Sequence, residues 1–200
     1  METILDKYKN TLLNSFLKEL YNEVMNVLET LPYKENLVTN NLNKNYIVNN
    51  LIHDILEIVK LNNNIVKIPY RIYFNEPQNI KNLNNIQMDI LCCIYSRHHN
   101  GFIRQKYIEK IVDSKNYWVT PFFVQLFGEY IYEIMEIFNE YLNVNMDNCM
   151  KFIYENQEYW EKTKNRMISY WNEFYRGKYP EFNKYLGKEI IKKINRIKNS

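Results

Sequence analysis

Gln125, Glu129, Glu133, Glu136 and Glu140 recur at three- and four-residue spacing inside the otherwise apolar run Trp118 to Leu142, WVTPFFVQLFGEYIYEIMEIFNEYL. At about 100° per residue they fall on one narrow strip of a helix, and Phe122, Phe123, Leu126, Phe127, Tyr130, Ile131, Ile134, Met135, Phe138, Tyr141 and Leu142 cover the rest. No Lys or Arg lies between Lys115 and Lys151. Carboxylates so placed need water, a cation or a basic partner. A di-metal helical site would need Glu-x-x-His pairs from facing helices, and His53, His98 and His99 do not supply that spacing. The expectation is a metal-free, cofactor-free strip facing solvent or a basic partner, with Glu129, Glu133, Glu136 and Glu140 as its binding residues.

A second constellation surrounds Gly101. Arg104 sits at the centre of the apolar arc Ile103, Tyr107, Ile108, Ile111 and Val112, and Arg97 is in phase with Leu83, Ile86, Ile90 and Ile94. A buried guanidinium needs a carboxylate, carbonyls or an anion. One reading is a structural pairing, and the other is an anion site made by Arg97, His98, His99 and Arg104, which an enzyme could use. Cys92, Cys93 and Cys149 match no disulfide framework and no zinc spacing, and Cys92 projects away from the apolar arc by phase. GxSxG, GxxxxGK[ST], GxGxxG and HExxH are all absent, and four Gly in the whole chain exclude a phosphate-cradling loop.

The elements that must position these groups are helical. Apolar residues from Leu5 to Leu28 follow the i, i+3, i+4, i+7 template, predicting one long helix from Thr3 to Leu31, ended before Pro32. An Asn-rich loop follows, then a helix from about Asn45 to Leu61. Val66, Ile68, Tyr70, Ile72 and Phe74 alternate at period two. With Pro69 among them and no second strand to pair with, residues 62–77 read as an extended connector. Helices are then expected from Leu83 to His99, with Gly101 as a left-handed stop, from Phe102 to Asp113, and from Thr120, an N-cap ahead of Pro121, to Leu142. Another, bent near Asn156, runs to Arg176, and a last one starts at Pro180. The predicted fold class is all-α: a single domain over 1–200, a helical bundle or short helical array of about seven helices, with a basic C-terminal helix, 178–200, docked on it.

Composition narrows the class. With 46% hydrophobic and 16% aromatic residues the chain is not disordered. Its 31 Asn and complete lack of Ala are the skew an AT-rich genome imposes, and helices without Ala must be held by bulky packing. No signal peptide and no membrane span is expected, and a cytoplasmic location is. The net charge of +3 divides unevenly: residues 1–100 are neutral, 101–147 carry −3 and 148–200 carry +6. Lys184, Lys188, Lys192 and Arg196 form one stripe of the last helix and are the candidate nucleic-acid face.

The run Asn100-Gly101-Phe102-Ile103-Arg104, a short helix, Pro121 opening another, and Gly128-Glu129-Tyr130-Ile131 resembles HEAT-type helical repeats over residues 100–142. Two features depart from that pattern: small residues are scarce, and the glutamates keep phase through Gly128. The resemblance implies a protein-binding helical scaffold in which Arg104 ties neighbouring helices together. The leading expectation is therefore a non-enzymatic module that binds a basic protein, as an immunity-type protein masks a basic toxin. Nucleic-acid binding by the C-terminal helix and an enzyme at the Arg97 cluster are the alternatives. The sequence leaves the oligomeric state open.

Overall fold

A computed structural model describes residues 3–33, 36–39, 45–48 and 50–198; of 36–39, 45–48 and 198 it describes the backbone alone. The chain is predominantly α-helical, as the periodicity predicts. Its contacts gather it into two compact units, Met1–Ile108 and Glu109–Ser200.

In the first unit, α1 (Ile4–Leu13) starts at a capping box in which Asp6 N donates to Thr3 Oγ1 at 3.1 Å and Thr3 N to Asp6 Oδ2 at 3.0 Å. The long helix expected from Thr3 to Leu31 is divided, with α2 covering Tyr21–Leu28. The break has a cause: Asn14 O accepts from Lys67 N at 2.8 Å and Ser15 Oγ donates to Lys67 O at 3.0 Å, so the end of α1 is stitched to a strand while Phe16 and Leu17 turn inward.

That strand belongs to the main departure from the predicted order. Where a second helix was expected, β2 (Asn45–Val48) pairs antiparallel with β1 (Asn36–Thr39), which precedes that segment, and β3 (Leu56–Leu61) follows. Residues 40–44, the core of the expected Asn-rich loop, lie outside the described residues. The supposed connector contains β4 (Asn64–Pro69), paired with β3 from Leu61↔Asn64 to Leu56↔Pro69. The second strand thus comes from the segment that apolar spacing assigned to a helix. Asn62 and Asn63 close the hairpin at φ 50° and 65°. A two-residue turn needs positive φ at both central positions, and Asn tolerates this better than other side chains with a Cβ. Pro69 is accommodated because Tyr70 N donates to Ile55 O, which points the neighbouring Pro69 nitrogen away from β3. Val59, Leu61, Val66 and Ile68 face the core.

α3 (Asn85–Tyr95) opens on an Asn84–Gln87 capping box and ends four residues before the predicted His99, because residues 97–99 bond instead to Ile72. Gly101 is no left-handed stop. It is the first residue of α4 (Gly101–Glu109), and no glycine among the described residues has positive φ.

The second unit contains α5 (Thr120–Phe127), α6 (Tyr132–Val144), α7 (Met146–Glu155), α8 (Gln157–Tyr170) and α9 (Leu186–Lys198). Pro121 occupies the first turn of α5 as predicted, but Thr120 is no cap: its hydroxyl hydrogen-bonds to that of Tyr141 at 2.9 Å. The bend expected at Asn156 is a full division of α7 from α8. The last helix starts at Leu186, after a 3₁₀ turn at Phe182–Lys184. The core is aromatic. Phe123 stacks on Tyr141 at 3.7 Å between ring centres and Phe127 on Trp160 at 5.3 Å.

Candidate functional site

The acidic strip was expected along one continuous helix from Thr120 to Leu142. Instead α5 stops at Phe127, and Gly128 to Ile131 separate it from α6. Gly128, just after α5, lies close against α8: a Cβ there would lie 3.2 Å from Thr163 Cγ2 and 3.3 Å from Thr163 O. The gap is closed from the end of α8, whose last turn widens into a π-helical segment, Trp171–Tyr175. Tyr175 Oη donates to Tyr130 O at 2.6 Å and accepts from Tyr132 N at 3.1 Å, which satisfies the first N–H of α6.

This break divides the five strip residues. Gln125 and Glu129 are buried, at 0% and 2% exposure, while Glu133, Glu136 and Glu140 are exposed on α6. Those three carboxylates form no ion pair among the described residues. A second exposed feature, which the sequence pattern assigned to the core, joins the residues after α5 to the end of α8. Tyr130, Tyr170 and Phe174 pack with ring centres 5.9 to 6.0 Å apart, and Tyr130 and Phe174 are 44% and 58% exposed. The density of aromatics between Tyr170 and Tyr185 was the available signal, but helical phase could not place them across a π-helical turn.

In the first unit the guanidinium groups lie against main-chain carbonyls. Arg104 Nη1 donates to His98 O at 2.8 Å and His99 O at 2.9 Å, and Arg97 Nη2 to Tyr70 O at 3.3 Å. His98 Nδ1 accepts from Asn100 N at 3.0 Å, so its proton resides on Nε2, which lies 3.1 Å from Phe74 O and donates to it. Burial, with neighbouring His99 and Arg104, lowers the His98 pKa to about 4, so the ring is neutral. His99, half-buried and stacked on Tyr73, is also lowered, by burial and then by Arg104 and Arg71. Glu76 nearby accepts from Lys106 Nζ at 2.6 Å; burial pushes its pKa up, but the hydrogen bonds from Lys106 and Tyr107 hold it below the usual value. The cluster ties the end of α3 to the hairpin and to α4.

Of the basic stripe, Lys184 lies in the 3₁₀ turn before α9 and pairs with Glu181 at 2.7 Å, and Lys188 stands over the Phe182 ring. Lys193 donates to Asn143 of α6. Lys192 and Arg196 are exposed. Cys92, which helical phase turned outward, is buried, as are Cys93 and Cys149. Burial raises the Cys93 thiol well above its usual value and Cys149 to about 12, so neither is a ready nucleophile. Among the described residues no group of three His, Cys, Asp or Glu side chains could hold a metal ion, and no helix is long and apolar enough to cross a membrane. No protein-family model, curated protein or solved structure matches the chain.

Proposed function

We propose that this protein is a non-enzymatic binding module that presents the exposed face of α6 to a basic protein. The observation that carries the reading is the trio Glu133, Glu136 and Glu140: exposed, on one helix, and without an ion pair among the described residues. Like charges at this spacing cost a few tenths of a kcal/mol per pair, a cost a cationic partner reverses. Tyr130 and Phe174 supply exposed aromatic surface alongside, of the kind enriched at the energetic centre of protein interfaces. Opposed charge speeds encounter, and desolvated pairs set specificity. An immunity-type role, masking a basic toxin or nuclease, is the concrete form of this reading. The HEAT-like run at 100–142 fits a scaffold of that kind.

The test is affinity capture from the native cell with the wild-type chain and with Glu136→Lys/Glu140→Lys, two surface changes that leave the core intact. Wild type retains basic proteins, salt releases them, and the variant loses them. Equal retention by both chains refutes the reading.

A further inference from the structure

Tyr132, the first residue of α6, belongs to a cluster with Tyr175, Tyr179 and Tyr185. Its ring stacks on that of Tyr179 with centres 5.6 Å apart and planes 9° from parallel. Tyr175, from the π-helical turn, and Tyr185, just before α9, pack against Tyr132 at 5.8 and 5.9 Å, and Tyr185 is buried. With the Tyr175 hydroxyl fixed between Tyr130 O and Tyr132 N, the stacked pair is held from behind. Tyr132 and Tyr179 are half-buried and keep some ring surface at the exterior. A cation of the chain itself lies on that surface: Lys178 Nζ is 5.3 Å from the Tyr179 ring centre and 5.8 Å from that of Tyr132, within cation–π reach of both. Lys178 is exposed and forms no ion pair among the described residues.

The surroundings are acidic. Burial and the hydrogen bond with Tyr179, then the charges of Tyr179, Glu136 and Glu189, raise the pKa of the Tyr132 hydroxyl, so Glu136 of α6 and Glu189 in the first turn of α9 both act on this ring. Both carboxylates are exposed and without an ion pair among the described residues. Two negative charges thus stand by a pair of rings that already hold one ammonium, and charge complementarity calls for a further cation. We propose that Tyr132 and Tyr179 form a seat for a lysine ammonium of a partner protein, with Glu136 and Glu189 neutralising the incoming charge and Lys178 filling the seat until the partner displaces it. The seat rests on the reading of α6 as a face for a basic protein, and it names the group on that protein which is recognised. Lys178 indicates the occupant: a compact ammonium on a flexible stem reaches both rings at once, whereas a planar guanidinium stacks on one.

Titration of the full chain with acetyl-Gly-Lys-Gly-amide, a probe whose only charge is one ammonium, tests this through the ring resonances of Tyr132 and Tyr179. The wild type shows saturable shifts at both rings. Lys178→Gln, an exposed change that empties the seat, lowers the apparent dissociation constant about threefold, because a self-occupied site binds a guest only in the fraction of molecules where it is open. Arg196→Gln, the same charge change two turns beyond Glu189 on α9, leaves that constant unaltered. Tyr179→Leu keeps the bulk, removes the ring's negative face and abolishes the shift at Tyr132. Should Tyr179→Leu fail to fold, Lys178→Gln set against Arg196→Gln decides. Rings that stay unmoved by the probe in Lys178→Gln, or equal gains from Lys178→Gln and Arg196→Gln, overturn the seat. If the rings stay unmoved while Glu136→Lys/Glu140→Lys still loses basic proteins in affinity capture, the acidic face stands and the seat falls. If the rings respond while wild type captures no basic protein, the ammonium seat stands and the reading of α6 falls.

Discussion

Acidification from neutral pH should destabilise the first unit, and His98 is the reason. Its ring is held neutral between Asn100 N, which donates to Nδ1, and Phe74 O, which accepts from Nε2, at 2% exposure and with Arg104 and His99 beside it. In the unfolded chain the same ring titrates at its ordinary 6.5, and in the fold at about 4. Between those values the unfolded state binds a proton that the folded state refuses, so stability is fully present above about 6.5, falls as pH drops through the interval, and levels off below about 4. That gap between the folded and unfolded ring corresponds to roughly 3 kcal/mol. Urea denaturation at a series of pH values between about 7.5 and 4.5 measures it, because two-state stabilities can be compared along the series. In His98→Gln the side chain keeps an amide donor for Phe74 O and cannot ionise. That variant should be less stable at neutral pH and have a much flatter profile, the residual slope coming from His99, which is lowered in the same direction. An identical slope in wild type and variant, or stability that rises on acidification, would refute the reasoning.

Three further outcomes follow from named contacts. Gly128→Ala forces a methyl to within 3.2 to 3.3 Å of Thr163 and should cost about 1–3 kcal/mol, while Gly177→Ala, with nothing within 4 Å, should be neutral in the same melting experiment. Tyr175→Phe removes the hydroxyl shared by Tyr130 O and Tyr132 N; the loss is about 1–2 kcal/mol, and the Tyr132 amide should exchange with deuterium faster than in wild type. At Asn63, where φ is 65°, Gly should be tolerated or stabilising, whereas Val should cost about 1–3 kcal/mol by thermal unfolding.

Long amphipathic periods were legible: the helical class, an irregularity near Asn156, expected as a bend and found as a division, and Pro121 in the first turn of α5 all follow from phase and punctuation. The β-hairpin was not, because Asn62 and Asn63 sit in a chain where Asn is common, and their left-handed backbone leaves no mark on composition. Ile55, Leu56 and Val59 fit a helical stripe as well as a strand, so the second strand was hidden in a plausible helix. At the candidate site, Glu133, Glu136 and Glu140 are exposed on α6, at positions that helical spacing sets on one strip. The burial of Glu129 could not be foreseen, since it depends on a break set by contact between Gly128 and α8, far along the chain. Arg97 and Arg104 were recognisable as buried cations in need of a carboxylate, carbonyls or an anion, but sequence could not reveal that the carbonyls of Tyr70, His98 and His99 would be among the groups that meet them.

The hydroxyl of Tyr175 reaches across 45 residues to the junction that precedes α6. During synthesis, therefore, α5 and α6 emerge from the ribosome well before the group that fixes the angle between them. The carboxylate edge of α6 acquires its final orientation only after the chain has passed the π-helical turn, so a product truncated before that point would carry the acidic residues but not the aligned surface.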